Sequence, residues 1–244
     1  MSDNYARIFL LSHMRALTSL AGHILGSHPR INGYYEMHIS YEQPQALAAQ
    51  MERFLEHDVL KSGSRYLFDK LLHNEYRLQL DQLAVDRVKV LVALREPEQS
   101  IKSIVNLFAQ KNADEPYAAP PAATSYYVDR VAALAEYCCS ADQDYYYFDS
   151  EVLRDDPDVL LPALTRWLEL EPPLRASYDI FSLTGESRKG DSSRLIRSGR
   201  IDRTERNYSH IAIPDRCLQM AQHIYRDCRR SIIRGAADAV TRAE

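Results

Sequence analysis

Short apolar runs alternate along the chain with segments whose apolar residues recur every three or four positions. The first run, Ile8–Leu11, ends at a small polar cluster. From Thr18 the spacing turns helical, with Leu20, Ile24 and Leu25 on one face. The pattern predicts a buried strand, a loop and a helix that stops at Gly26, followed by a turn over "SHPR". "INGYYE" (31–36) predicts a second strand, residues 44–57 a helix opened near Pro44, and "SRYLFDK" (64–70) a third strand. The strongest strand signal is "RVKVLVAL" (87–94), β-branched, apolar and uncharged beyond Lys89. Pro97 then opens a helix through about Lys111, and "NADEPYAAPPAAT" (112–124) reads as a loop. Residues 125–140 carry Val128, Val131, Leu134 and Cys138 at helical spacing, and "DYYYFD" (144–149) predicts a fifth strand. A helix from Pro157 to Leu170 ends at Pro172-Pro173; a basic irregular stretch, 186–206, precedes a last helix from Pro214 to about Arg234.

Strands alternating with helices predict an α/β fold, a parallel sheet with helices on both faces. The 244 residues, with no internal repeat and no low-complexity tract, predict a single domain over 1–244. In such sheets ligands bind beyond the carboxyl ends of the strands. That rule selects Ser12–Ser19, Tyr35–His38, Asp69–Asn74 and Arg95–Ser103.

The balance of 45% hydrophobic and 26% charged residues is that of a soluble globular protein. The net charge of −4 argues against bulk nucleic-acid binding, while leaving room for a local basic patch. Cys138, Cys139, Cys217 and Cys228 have neither zinc spacing nor the look of a disulfide framework, so a reducing cytoplasm is expected. Arg7, His13 and Arg15 interrupt the early apolar stretch, so no signal peptide is expected, and no run approaches a membrane-spanning length.

Two places carry candidate chemistry. The loop "SHMRALTS" (12–19) sets Arg15 beside a run of backbone N–H groups and the hydroxyls of Thr18 and Ser19. A helix N-terminus adds roughly half a positive charge there, and a guanidinium fork suits phosphate or sulfate oxygens. The Walker pattern G-x-x-x-x-G-K-[ST] is absent. The structural alternative is that Thr18 or Ser19 caps the helix. The second place is "LREPEQSIKSIVNLF", with Arg95 at the end of the strongest strand and Ser103 eight residues on. A ligand touching both must lie along the helix; alternatively Arg95 caps the element or joins an ion pair.

Together these stretches resemble the sulfotransferases that use 3′-phosphoadenosine 5′-phosphosulfate (PAPS). "LLSHMRALTSL" is similar to their 5′-phosphosulfate loop, P-[KR]-[SA]-G-[ST]-[ST], with Arg15, Ala16, Leu17, Thr18 and Ser19 at the matching positions. "LREPEQSIKSIVNLF" is similar to their 3′-phosphate motif, R-[DE]-P-x-x-x-x-x-S, which carries 3′-phosphate binding over to Arg95 and Ser103. "DYYYFDSEVLRDDPDVLLPALTRWLEL" is similar to the segment after the family's fifth strand, so the resemblance runs in order over roughly residues 7–170. It implies a P-loop-like sulfotransferase fold, PAPS as co-substrate and no metal. Leu17 departs from the pattern: the family has a glycine there, which lets the backbone approach an anion closely.

Sulfuryl transfer needs a base for the acceptor proton and cations for the charge on the bridging oxygen. The tyrosylprotein sulfotransferases have H-P-x-x-x-x-x-E-E after the first helix, and their last Glu is the base. Aligned on His28-Pro29, it falls on Glu36, with His38 two residues on. Cytosolic sulfotransferases use a His after the third strand; "FDKLLHNEY" offers His73 at a different spacing, and Lys70 matches the family's third-strand Lys, which stabilises the leaving phosphate. The alternatives are a solvated strand end for Glu36, a surface place for His38, and a surface charge paired with Asp69 for Lys70. The family's C-terminal R-K-G implies that Arg188, Lys189 and Gly190 close over the 3′-phosphate; a run with so many arginines equally suits an anionic acceptor or a solvated face. Tyr34, Tyr35, Tyr41, Tyr126 and Tyr127 are candidates for an acceptor pocket, with core packing as the alternative. A small molecule, glycan or lipid bearing a hydroxyl or amine fits as acceptor, with no nucleic acid and no integral membrane segment. The rivals are a P-loop kinase-like phosphotransferase and a non-catalytic nucleotide-binding relative.

Overall fold

Along each long strand, successive side chains go to opposite faces of one sheet, and both faces are covered. The computed structural model describes residues 5–83, 87–112, 114–185, 194–204 and 206–242. Its strands are β1 (Ala6–Leu11), β2 (Ile31–Asn32), β3 (Tyr66–Leu71), β4 (Val88–Leu94), β5 (Tyr145–Asp149) and β6 (Asp238–Val240). They pair in the order β2-β3-β1-β4-β5-β6, every pair parallel. The helices are α1 (Thr18–Gly26), α2 (Gln45–Leu55), α3 (Pro97–Ala109), α4 (Pro120–Ser140), α5 (Ser150–Asp155), α6 (Pro157–Trp167) and α7 (Asp215–Gly235).

Phe9, Leu11, Val90, Val92, Leu94, Tyr145 and Tyr147 face one way and pack with α3, α4 and α7. Ile8, Leu10, Leu91, Ala93, Tyr146 and Phe148 face the other way and pack with α1, α5 and α6. Val90–Leu94 are buried throughout, and a fully buried Val or Leu contributes about 1.5–3 kcal/mol. The expected α/β architecture, a parallel sheet between helical layers, is the one observed.

The boundaries differ in places with identifiable causes. The strand expected over 31–36 stops at Asn32, because Gly33 turns the chain with φ 90°. That turn brings the segment after β2 onto α1: a Cβ on Gly22 would stand 2.3 Å from the Tyr34 carbonyl oxygen. Only glycine at position 22 permits so close an approach. The loop expected over 112–124 contains a 3-10 turn, Pro116–Ala118, and the next helix starts at Pro120, a residue suited to a first helical turn. The sixth strand had no sequence signal; it is three residues long and pairs with β5.

Candidate active site

The register sets the carboxyl ends of the central strands level, with Leu11 opposite both Leu71 and Val92. The chain leaves β1 for α1 on one face and leaves β4 for α3 on the other. Between those exits lies the crevice where such sheets take ligands.

The loop after β1 is held from outside. Arg130 of α4, buried, donates to the Ser12 carbonyl (2.9 Å), the Leu71 carbonyl (2.7 Å) and Asn74 Oδ1 (3.0 Å). The Tyr126 hydroxyl accepts from the Met14 N–H (2.8 Å) and donates to the Leu72 carbonyl (2.7 Å). His13 Nε2 accepts from the Arg95 N–H at 3.0 Å, so the ring proton sits on Nδ1 and is given to the Met14 carbonyl at 2.9 Å. Burial pushes the His13 pKa down to about 4, which keeps the ring neutral and able to accept.

Within this frame Arg15 (φ 64°) and Leu17 (φ 56°) both take the left-handed conformation. Such residues cost on the order of 1–3 kcal/mol each and collect at ligand sites. Leu17 thus adopts the backbone shape that glycine would give freely. It occupies the N-cap of α1 without a side-chain cap, so neither Thr18 nor Ser19 plays that part. The first-turn N–H groups that a helix cannot satisfy internally belong to Thr18, Ser19 and Leu20, residues that line the crevice. Ser19 Oγ receives Lys70 Nζ at 3.3 Å. Lys70 is buried rather than a surface charge; the Asp69 carboxylate accepts the N–H groups of Met37 and Lys70 and the Tyr41 hydroxyl.

The two motif regions meet. Arg15 Nε donates to Ser103 Oγ at 2.9 Å, and the Tyr208 hydroxyl lies 3.1 Å from the same oxygen. Arg95 Nη1 donates to the Arg15 carbonyl at 2.9 Å, while Arg95 Nε is buried with no hydrogen-bond partner among the described residues. Burial pulls the Arg95 pKa down; Glu151 opposes this, and the positive charges of Arg154 and Arg15 add to it.

Opposite lies a carboxylate between two imidazoles. Glu36 is 7% exposed, and its Oε1 makes no hydrogen bond among the described residues. Its Oε2 is 3.8 Å from His38 Nε2 and its Oε1 3.9 Å from His73 Nε2. Glu36 is not a strand end: it stands in the loop past Gly33, and His38 is turned back toward it by a left-handed backbone, φ 59°. Burial pushes the Glu36 pKa up to about 7, against the positive charge of Lys70. Burial, with Arg130 adding, pushes His73 down to about 4. Burial thus sets the Glu36 carboxyl near its midpoint at neutral pH and keeps His73 uncharged.

One cavity of about 370 Å³ collects Arg15, Leu17, Thr18, Ser19, Glu36, His38, Lys70, His73, Arg95 and Ser103. Ala16 is buried and off its wall. Arg188, Lys189 and Gly190 lie outside the described residues. The candidate tyrosines are not on the wall either. Tyr34, Tyr35 and Tyr41 pack in the core, and the Tyr126 and Tyr127 hydroxyls brace the Leu72 and Arg95 carbonyls. Sequence reasoning missed Tyr208, Arg154 and Thr204, which also line the cavity, as does Arg206 of the basic stretch read above as suited to an anionic acceptor or a solvated face. Tyr208 had no signal in the sequence. Among the described residues no group of three His, Cys, Asp or Glu could hold a metal ion, and no helix is long and apolar enough to cross a membrane.

The structure is similar to the sulfotransferase domain from the curacin biosynthetic pathway, with a TM-score of 0.61 at 17% identity over 92% of this chain and 98% of that one. It is also similar to the sulfotransferase domain from the Synechococcus PCC 7002 olefin synthase, with a TM-score of 0.56 at 17% identity over 90% and 94% of the two chains. The chain therefore has the sulfotransferase fold, as the motif resemblance implied. No protein-family profile and no curated protein matches its sequence.

Proposed function

We propose that the chain is a PAPS-dependent sulfotransferase acting on a hydroxyl or amine of a small-molecule, glycan or lipid acceptor. The observation that carries this reading is the opening of Arg95, Ser103, the α1 N-terminus, Lys70 and Glu36 onto one cavity. The residues fit the co-substrate: Arg95 Nε is a buried donor with no hydrogen-bond partner among the described residues, as an anion-binding guanidinium should be. PAPS, when bound, supplies an activated sulfuryl group. Arg95 and Ser103 hold the 3′-phosphate. The first-turn amides of α1, with Thr18 and Ser19, hold the 5′ group. Lys70 neutralises charge gathering on the bridging oxygen. Glu36 takes the acceptor proton, with His38 and His73 flanking it at 3.8 and 3.9 Å.

A kinase-like reading is less well supported, because the loop lacks the Walker lysine. The test is turnover with PAPS across a panel of hydroxyl and amine acceptors, beside ATP with magnesium. Transfer from PAPS supports the reading. Phosphoryl transfer from ATP, or PAPS binding with no transfer to any acceptor, refutes it in favour of a kinase or of a non-catalytic relative.

A further inference from the structure

Arg15 sits in the loop assigned to the 5′ group, yet its side chain leaves that loop. With φ 64° the backbone turns over at this residue, and Nε reaches across to Ser103 Oγ at 2.9 Å. Arg95 braces the same residue from the other side, donating to the Arg15 carbonyl at 2.9 Å. Tyr208 completes the group, its hydroxyl 3.1 Å from Ser103 Oγ.

We infer that Arg15 is a specificity residue for the 3′-phosphate and not a ligand of the 5′ group; this rests on the PAPS reading above. The charge balance of the corner agrees. The fields of Arg15 and Arg154 both bear unfavourably on the Arg95 cation, and Glu151 is the carboxylate that relieves it. Glu151 already accepts the Glu96 N–H, and Arg154 is engaged by both oxygens of Asp155. A corner with this excess of positive charge suits a phosphate monoester, which carries close to two negative charges near neutral pH. The two guanidiniums, the Ser103 hydroxyl and the Tyr208 hydroxyl give it donors on several sides. The 5′ side has its own cation in Lys70, bonded to Ser19 of the α1 first turn, and the helix dipole besides. Neither needs Arg15.

The test is calorimetric binding of two nucleotides: PAP, which carries both phosphates, and adenosine 5′-phosphate, which lacks the 3′ group. The native chain should prefer PAP. Arg15→Gln should weaken PAP by about 10- to 150-fold, the worth of a charge-assisted hydrogen bond, and leave adenosine 5′-phosphate nearly unchanged. Arg15→Lys keeps the charge without the fork and should lose less, again for PAP alone. It carries the test if Arg15→Gln shows no cooperative melting. Equal weakening of both nucleotides would put Arg15 on the 5′ group and overturn the inference while leaving the PAPS reading intact. Unchanged PAP affinity in a folded variant would overturn it too, making Arg15 a structural tie. A native chain with no preference for PAP refutes the PAPS reading itself, and the inference falls with it.

Discussion

Glu36→Gln should make the protein more stable and less active at the same time. The side chain is buried, and its carboxyl pKa rises from 4.5 to about 7. At about 1.4 kcal/mol per pH unit, keeping it ionised in the fold costs roughly 3 kcal/mol. The sign follows from proton binding. Between pH 4.5 and about 7 the folded state holds a proton that the unfolded state has released, so stability falls as pH rises through that window. The cost is absent below it and complete above it. Glutamine is neutral and nearly isosteric, so at pH 8 the variant should melt roughly 6–12 °C higher, and at pH 4 it should melt where the native chain does. Activity should move the other way. The native kcat/KM should climb tenfold per pH unit to a midpoint near 7. In the variant the climb should vanish, with kcat down about 10²–10⁴-fold, the usual worth of a positioned base. The assay is a pH profile at saturating PAPS, paired with melting curves at pH 4 and pH 8. A variant that keeps the limb near 7 refutes the reasoning. The titrating group would then be another, and Asp69, which burial also pushes up to about 7, is the first to examine.

Three further outcomes follow from the geometry. Arg95→Ala removes the buried guanidinium proposed to hold the 3′-phosphate and should weaken PAP by about 10- to 150-fold, sparing adenosine 5′-phosphate; calorimetry reads both. Gly22→Ala sets a methyl 2.3 Å from the Tyr34 carbonyl oxygen, so the segment carrying Glu36 must move. It should cost about 1–3 kcal/mol in stability and lower kcat on the order of 10²-fold at little change in PAP affinity; an unaltered kcat contradicts it. Arg229→Ala strips Asp149, 1% exposed, of a two-oxygen partner at 2.8 and 2.7 Å, and should destabilise by about 3–5 kcal/mol, read as a fall in Tm of on the order of 10 °C.

Much of this fold was written in local pattern. The run 87–94 could only be a buried strand, Pro97 could only open a helix, and topology then carried Arg95 and Ser103 to the ligand side of the sheet. The misread strand over 31–36 is instructive, because the dipeptide Asn32-Gly33 is itself a turn signal that the apolar character of Tyr34 and Tyr35 obscured. The last strand, "DAV", was invisible because three residues need a neighbouring strand to define them. At the site, residue types at strand ends were legible; their directions were not. That Arg15 meets Ser103, that His38 turns back onto Glu36, and that Tyr208 joins them depend on contacts between residues far apart in the chain or on backbone angles that no spacing encodes. Leu17 is the reverse case: the sequence departs from the glycine of the motif it resembles, yet the backbone takes the left-handed conformation that glycine adopts freely.

Leucine at position 17 shows where the loop's shape is held. The shape of the loop after β1 is imposed by its surroundings: Arg130 grips Ser12, Tyr126 grips Met14, and Arg95 grips Arg15. A loop clamped in this way depends less on the freedom of its own residues, so position 17 keeps a left-handed backbone without glycine. The constraint on the loop's path therefore rests on positions 126 and 130 more than on position 17. The shape of the crevice wall is thus set in part from α4, an element that lines none of it among the described residues.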